Sequence, residues 1–263
     1  MASRLTLRAV ALAYLAAVLF VPVGVVLLRT FEPGLGAVWA SVSTPAAIHA
    51  LYLTVLVAAI AVPLNTVFGV LCALLLVRGR FRGKAAFEVL IDLPFAVSPV
   101  VVGLALILLY GREGWFGDVL AQAGVRVIFS VPGIVLATVF VCLPFVVREV
   151  VPVLREVGVE QEQAASTLGA SRWQTFRRIT LPAIRWGVVY GVVLSTARAI
   201  GEFGAVSVVS GKVSGETETL TLLVEKRFQN FDVAGAYVAS TVLALLALAT
   251  LTGLTMLDRR KGT

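Results

Sequence analysis

Six stretches of the chain are apolar over the length of a membrane crossing, and most of the polar residues gather between them. A helix needs roughly 20 predominantly apolar residues to span the hydrocarbon core. Runs of that size fall at about 9–28, 48–77, 85–110, 131–151, 184–209 and 232–257. They do not alternate polar with apolar positions, which argues against a transmembrane β-barrel. The pattern predicts an all-α polytopic membrane protein, a single transmembrane domain over 1–263 with its core at 48–257. The second run exceeds one crossing, so part of it must tilt or leave the hydrocarbon. The first has the basic flank of a secretion signal, Arg4 and Arg8, but its apolar stretch is longer than a signal's core and contains Pro22, so it reads as an uncleaved span.

Between the runs, residues 29–47 read as a connector and 111–129 as a segment whose Trp115 and Phe116 suit the interfacial belt. Residues 212–230, with Glu216, Glu218, Lys226 and Arg227, read as a solvated loop sized to touch a soluble partner. The loop at 152–182 is different. Gly169 stands where a helix end favours positive φ, and Ser171 with Gln174 three residues on predicts a capping box, so two short helices with a bend are expected. Trp173, Phe176, Ile179 and Thr180 recur at spacings of three and four, leaving Arg172, Arg177 and Arg178 on another face. A pair of this kind suits docking to a partner, or lying on a membrane surface as an amphipathic hairpin.

Composition supports the membrane reading, with 59% hydrophobic and 14% charged residues. A net charge of +7 would suit nucleic acid, but its distribution points to topology instead. Assigning alternate loops to one side gathers fifteen cations there, from Arg4 and Arg8 through Arg78, Arg80, Arg82 and Lys84 to Arg259, Arg260 and Lys261, against six opposite. The richer side is the cytoplasmic one, which puts both termini and the 152–182 loop inside. The basic turn Arg78–Lys84 is expected to anchor on anionic headgroups. Cys72 and Cys142 lie in apolar runs as packing residues, and a lone His49 gives no support for a metal site.

Three places within the spans carry candidate chemistry. Pro63 and Asn65 predict a kink whose freed carbonyl a neighbouring helix bonds. Pro94 and Pro99 interrupt the third run, and broken backbone at membrane depth belongs beside protein or a water-filled path. Asp92 in the same run either belongs to that path or is hydrated near the interface, one turn from Glu88. Arg198 and Glu202 share a helix face in the fifth run. A charge at the bilayer centre costs roughly 2.5–3.5 kcal/mol, so the two must face the bundle interior, either stapling helices or lining a path. Gly201 and Gly204 beside them permit close approach. Neither Gly-Lys pair belongs to a phosphate loop, and no catalytic cluster is present, so any ATPase is another chain.

The loop at 152–182 resembles the cytoplasmic docking loop of ATP-binding-cassette importer permeases, matched at Ala164, Ala165, Gly169, Ile179, Leu181 and Pro182. Gln163 departs from the usual Glu, and either Glu160 or Glu162 is available for its contact. Residues 93–103 are similar to the third span of sulfate and molybdate permeases, and 198–211 resembles the CysW and CysT type of sulfate permease, CysW more than CysT. The resemblance implies the six-helix type I importer permease fold, with a docking surface at Glu162, Gln163, Ala164, Ala165, Gly169, Ala170, Phe176, Ile179, Leu181 and Pro182. The residues singled out within the spans, Arg198, Glu202, Asp92, Pro94 and Pro99, are the expected translocation pathway, and no cofactor is expected. Two ATPase subunits, a second permease and an external sulfate-binding protein are the implied partners, in the cytoplasmic membrane. Sulfate, with thiosulfate, is the implied cargo. Molybdate or tungstate stays open, as do a homodimer or heterodimer of permeases, and an ion-coupled carrier or a scaffold subunit remain alternatives from other classes.

Overall fold

The computed structural model describes residues 2–259; Arg260 and Lys261 of the expected basic C-terminus lie outside them. Helices account for nearly all of it. Five are long and apolar enough to cross a membrane: α1 (Ala2–Phe31, apolar from Val10), α3 (Pro45–Arg78), α7 (Val131–Val157), the helix that runs from Arg172 to Ile200, and α13 (Val233–Arg259, apolar to Thr250). At 1.5 Å per residue, the 34 residues of α3 extend about 51 Å, well beyond a hydrocarbon core of about 30 Å.

The third run is not a straight span. It forms α4 (Lys84–Ala96) and α5 (Pro99–Tyr110), bent by 110° at Val97 and Ser98. The cause is local: both residues are extended, as the residue preceding a proline prefers, and Pro99 opens α5, where its missing N–H is no loss. Pro94, by contrast, stays inside α4.

The connectors hold further helices that the apolar pattern does not reveal, α2 (Leu35–Val42), α6 (Gly117–Gln122) and α12 (Leu220–Gln229), and the fifth run ends in a separate short helix, α11 (Val206–Val209). Only part of the 212–230 loop is solvated: residues 212–216 and 228–230 are exposed, but 217–227 pack inward as the turn before α12 and most of that helix. Leu220, Leu222 and Leu223 are buried, and Glu218 is buried with its carboxylate paired to Lys226 at 3.0 Å.

At the centre stands α7, which packs against both α3 and the Arg172–Ile200 helix. Gly69 of α3 and Gly191 of that helix both lie against Val146, where an added Cβ would come to 2.7 and 2.8 Å. Glycine at these two positions lets three backbones converge. Apolar layers fill the bundle on either side of this level: Leu53, Ile134, Ala205 and Leu222 toward one end, and Ala73, Val150, Leu154 and Ile184 toward the other. The first helix stands at the edge, held to α13 through the buried Thr30–Thr241 hydroxyl pair at 2.8 Å.

Candidate functional site

The hairpin is built from its end residues. Helix α8 (Glu160–Thr167) stops in a Schellman motif: Ala170 N–H donates to the Ala165 carbonyl and Gly169 N–H to that of Ser166, both at 3.0 Å, with Gly169 at φ +84°. Ser171 and Gln174 form the expected capping box around α9 (Arg172–Thr175). The second arm is not a separate helix. α9 passes through one π turn, Phe176–Thr180, into α10 (Leu181–Ile200), so the hairpin continues directly into the fifth span. Pro182 has no N–H for an ordinary helical bond, and Leu181 N–H instead reaches back to the Phe176 carbonyl, an adjustment of the kind that π turns supply at functional sites.

Not every expected docking position faces outward. Ala165 is buried within the hairpin, Phe176 packs on the apolar layer that includes Val150 and Ile184, and Ile179 is half-buried. Glu162 is bound internally. Arg78, at the end of α3, donates to both its oxygens at 3.1 and 3.2 Å, and Thr180 of the π turn donates to Oε1 at 2.9 Å. Arg78 also donates to the Leu154 and Gly158 carbonyls at the end of α7. The headgroup anchor expected of Arg78 is thus replaced by an inward clamp, while Arg80 and Arg82 are exposed. Gln163, Ala164, Gly169, Leu181 and Pro182 are exposed and Ala170 is half-buried. Sequence reasoning missed Leu168, an exposed large apolar side chain at the tip, 88% open. Trp173 beside it is also exposed and stacks on Phe176 at 5.7 Å.

At the other end of α10 the helix stops at Ile200, not at 209 as the apolar run suggested. Glu202 explains the stop: its Oε1 accepts from Ala205 N–H at 2.8 Å, fixing a turn that leads into α11. Its Oε2 pairs with Arg198 Nη1 at 2.6 Å, the Glu202 side chain being 1% exposed and that of Arg198 31%. From α12, Thr221 donates its hydroxyl to the Glu202 carbonyl at 2.9 Å. This second broken span meets the first, since Gly204 lies against Pro99 and Gly103 against the Ala205 carbonyl and Val208.

Asp92 is not part of that junction. It pairs with Arg148 of α7 at 3.0 Å, and the Arg148 guanidinium also sits over the Phe95 ring at 4.7 Å. One turn back, Glu88 pairs with Arg155 at 3.7 Å, so two exposed ion pairs hold α4 to α7. Pro94 is buried in α4. On α3, Asn65 is fully buried and neither of its amide atoms has a hydrogen-bond partner among the described residues, so the expected bonding around Pro63 does not involve it.

Two interrupted spans in contact, and an exposed-tipped hairpin continuous with one of them, are the features of a transport permease, in which discontinuous helices accompany the substrate path. Residues 65–262 match the model of the binding-protein-dependent transport system inner membrane component. The sulfate transport system permease protein CysW of Synechocystis sp. is 51% identical over 97% of this chain and 93% of its own length. The sulfate transport system permease protein CysT of Escherichia coli is 37% identical over 95% and 91%. A chain in the crystal structure of a bacterial alginate ABC transporter, in complex with alginate pentasaccharide-bound periplasmic protein, shares the fold with TM-score 0.80 at 18% identity, covering 97% of this chain and 94% of that one. The chain belongs to this family of inner-membrane transport components, on the CysW side of its sulfate permeases.

Proposed function

We propose that this chain is one permease subunit of an ATP-driven importer that carries sulfate, and with it thiosulfate, into the cytoplasm by alternating access. The observation that carries the reading is the unbroken path from the hairpin tip to the interrupted end of α10. A push on the tip at Trp173 is delivered along one helix to Arg198, whose partner Glu202 stands just past the helix end. Two ATPase subunits hold the hairpins of this chain and of a related second permease, and an external binding protein delivers the anion. The excess of cations on alternate loops supports a topology with both termini and the hairpin in the cytoplasm. Arg198, with part of its side chain open, offers the passing dianion a cation while Glu202 holds it in place. An ion-coupled carrier would leave the hairpin without a purpose.

The test is labelled sulfate uptake in cells lacking the chain, complemented by the native sequence or by Gly169→Pro, with thiosulfate and molybdate as competitors. Uptake is expected to return with the native chain, to be lost with the variant while the protein still reaches the membrane, and to be competed by thiosulfate. Uptake unaffected by deletion would overturn the sulfate assignment. Competition by molybdate in place of thiosulfate would move it to molybdate or tungstate.

A further inference from the structure

We propose that Glu162 is a positioning residue that transmits movement of the docking hairpin to three spanning helices at once, and is not itself a contact to the ATPase. The proposal rests on the docking function proposed for the hairpin. Three observations support it. The Glu162 carboxylate is held from two elements, by the forked guanidinium of Arg78 at the end of α3 and by the Thr180 hydroxyl in the π turn that opens α10. The same guanidinium binds the Leu154 and Gly158 carbonyls, which close α7. Glu162 and Arg78 side chains are only 22% and 21% exposed, whereas Gln163 and Ala164 beside them face out.

A planar fork that binds a carboxylate with two parallel bonds fixes orientation as well as distance. Helix α8 therefore cannot rotate or shift without pulling on the ends of α3 and α7 and on the π turn. That turn is the least regular part of the hairpin's second arm and the place where a change in helix register would be accommodated. A bare carboxylate on the hairpin surface would serve equally well as an ATPase contact. Here both oxygens of Glu162 are bound inward, and the contact to the ATPase falls to the exposed tip, Leu168 with Trp173, and to the outward face at Gln163 and Ala164.

The experiment uses the complete complex with its ATPase subunits, reconstituted in proteoliposomes. Two readouts are needed: the amount of ATPase retained on purification, and the sulfate transported per ATP hydrolysed. Glu162→Gln is expected to retain the ATPase in full while lowering transport per ATP by about fivefold or more, the lower end of ordinary coupling between sites. Thr180→Val, which removes one bond and leaves the ion pair, is expected to act in the same direction to a smaller extent, and it keeps the test decisive if the first variant fails to assemble. Loss of ATPase from Glu162→Gln alongside a fully coupled Thr180→Val would overturn the proposal, making Glu162 a docking contact. So would unchanged coupling in both variants. Leu168→Asp tests the docking function separately: it should shed the ATPase, and full retention there would mean that docking lies elsewhere, whatever the coupling variants do.

Discussion

Gly204 lies so close to Pro99 that a Cβ added to the glycine would stand 2.9 Å from the proline Cβ. This contact joins the bend between α4 and α5 to the turn after α10, two interruptions more than 100 residues apart in sequence. Irregular backbone at membrane depth is tolerated where protein covers it, and here each interruption helps to cover the other. Gly204→Val should force them apart. Overpacking of this kind costs about 1–3 kcal/mol, so the purified variant is expected to denature at lower temperature in detergent, with sulfate uptake reduced. Phe203→Ala, at a half-open neighbouring position, should shift the transition less.

Asp92 gives the opposite expectation. Its carboxylate answers Arg148 on an exposed edge of α7, with 38% and 57% of the two side chains open. An exposed pair contributes about 0–1 kcal/mol, and a second pair, Glu88–Arg155, holds the same two helices. Asp92→Asn should therefore leave sulfate uptake within about twofold of the native level and the denaturation midpoint nearly unchanged, since a pair of this size is a small fraction of stability. A large loss of uptake in a stable variant would instead place Asp92 in the pathway.

The long helices were legible because a membrane imposes a length and a composition on each crossing. The break at Pro99 was legible as well, since a proline and the residue before it act on backbone that is local in sequence. The end of α10 was not. Residues 203–209 are as apolar as the helix before them, and the stop comes from Glu202 bonding the Ala205 N–H, a contact whose burial depends on α12 and α5 arriving alongside. Glu162 shows the same limit. Its neighbours in sequence suggest a surface helix, and its actual partner, Arg78, lies 84 positions earlier in what reads as a basic turn. The capping box and Gly169 were readable because every atom in them lies within a few residues.

Arg227 was also hidden by distance, and it supplies a third prediction. Placed by the sequence in a solvated loop, its side chain is only 12% exposed and donates to the Ser41 hydroxyl and carbonyl, the Thr44 hydroxyl and the Gly235 carbonyl, at 2.6–3.2 Å. One guanidinium thus ties α12 to the junction of α2 with α3 and to the start of α13. Hydrogen bonds to a charged group are worth about 1.5–3 kcal/mol each, and truncation also leaves partly buried acceptors unpaired. Arg227→Ala should lower the thermal denaturation midpoint well below that of Asp92→Asn. Lysine should not restore it, because a single ammonium cannot satisfy acceptors on both sides of a planar fork.

Arg198 and Glu202 hold the two readings that the sequence left open, a staple between helices or a group in the path, and their surroundings differ. Glu202 is enclosed, hydrogen-bonded to backbone on one oxygen and ion-paired with Arg198 on the other. Removing its charge should act first on stability: breaking a fully buried pair costs about 3–5 kcal/mol, and the effect should be smaller here because Arg198 is partly open to solvent. Glu202→Gln, which keeps an acceptor for Ala205 N–H, is expected to lower the denaturation midpoint moderately and to reduce uptake in step with it. Arg198→Lys keeps a cation that can still pair with Glu202, so stability should hold. An ammonium, however, lacks the planar fork that can bind Glu202 and present a second edge to an oxyanion. Labelled sulfate uptake by Arg198→Lys should therefore fall by about tenfold or more, equivalent to about 1.4 kcal/mol, while the denaturation midpoint stays near native. Uptake and stability falling together in that variant would show that the pair serves only to brace the helices.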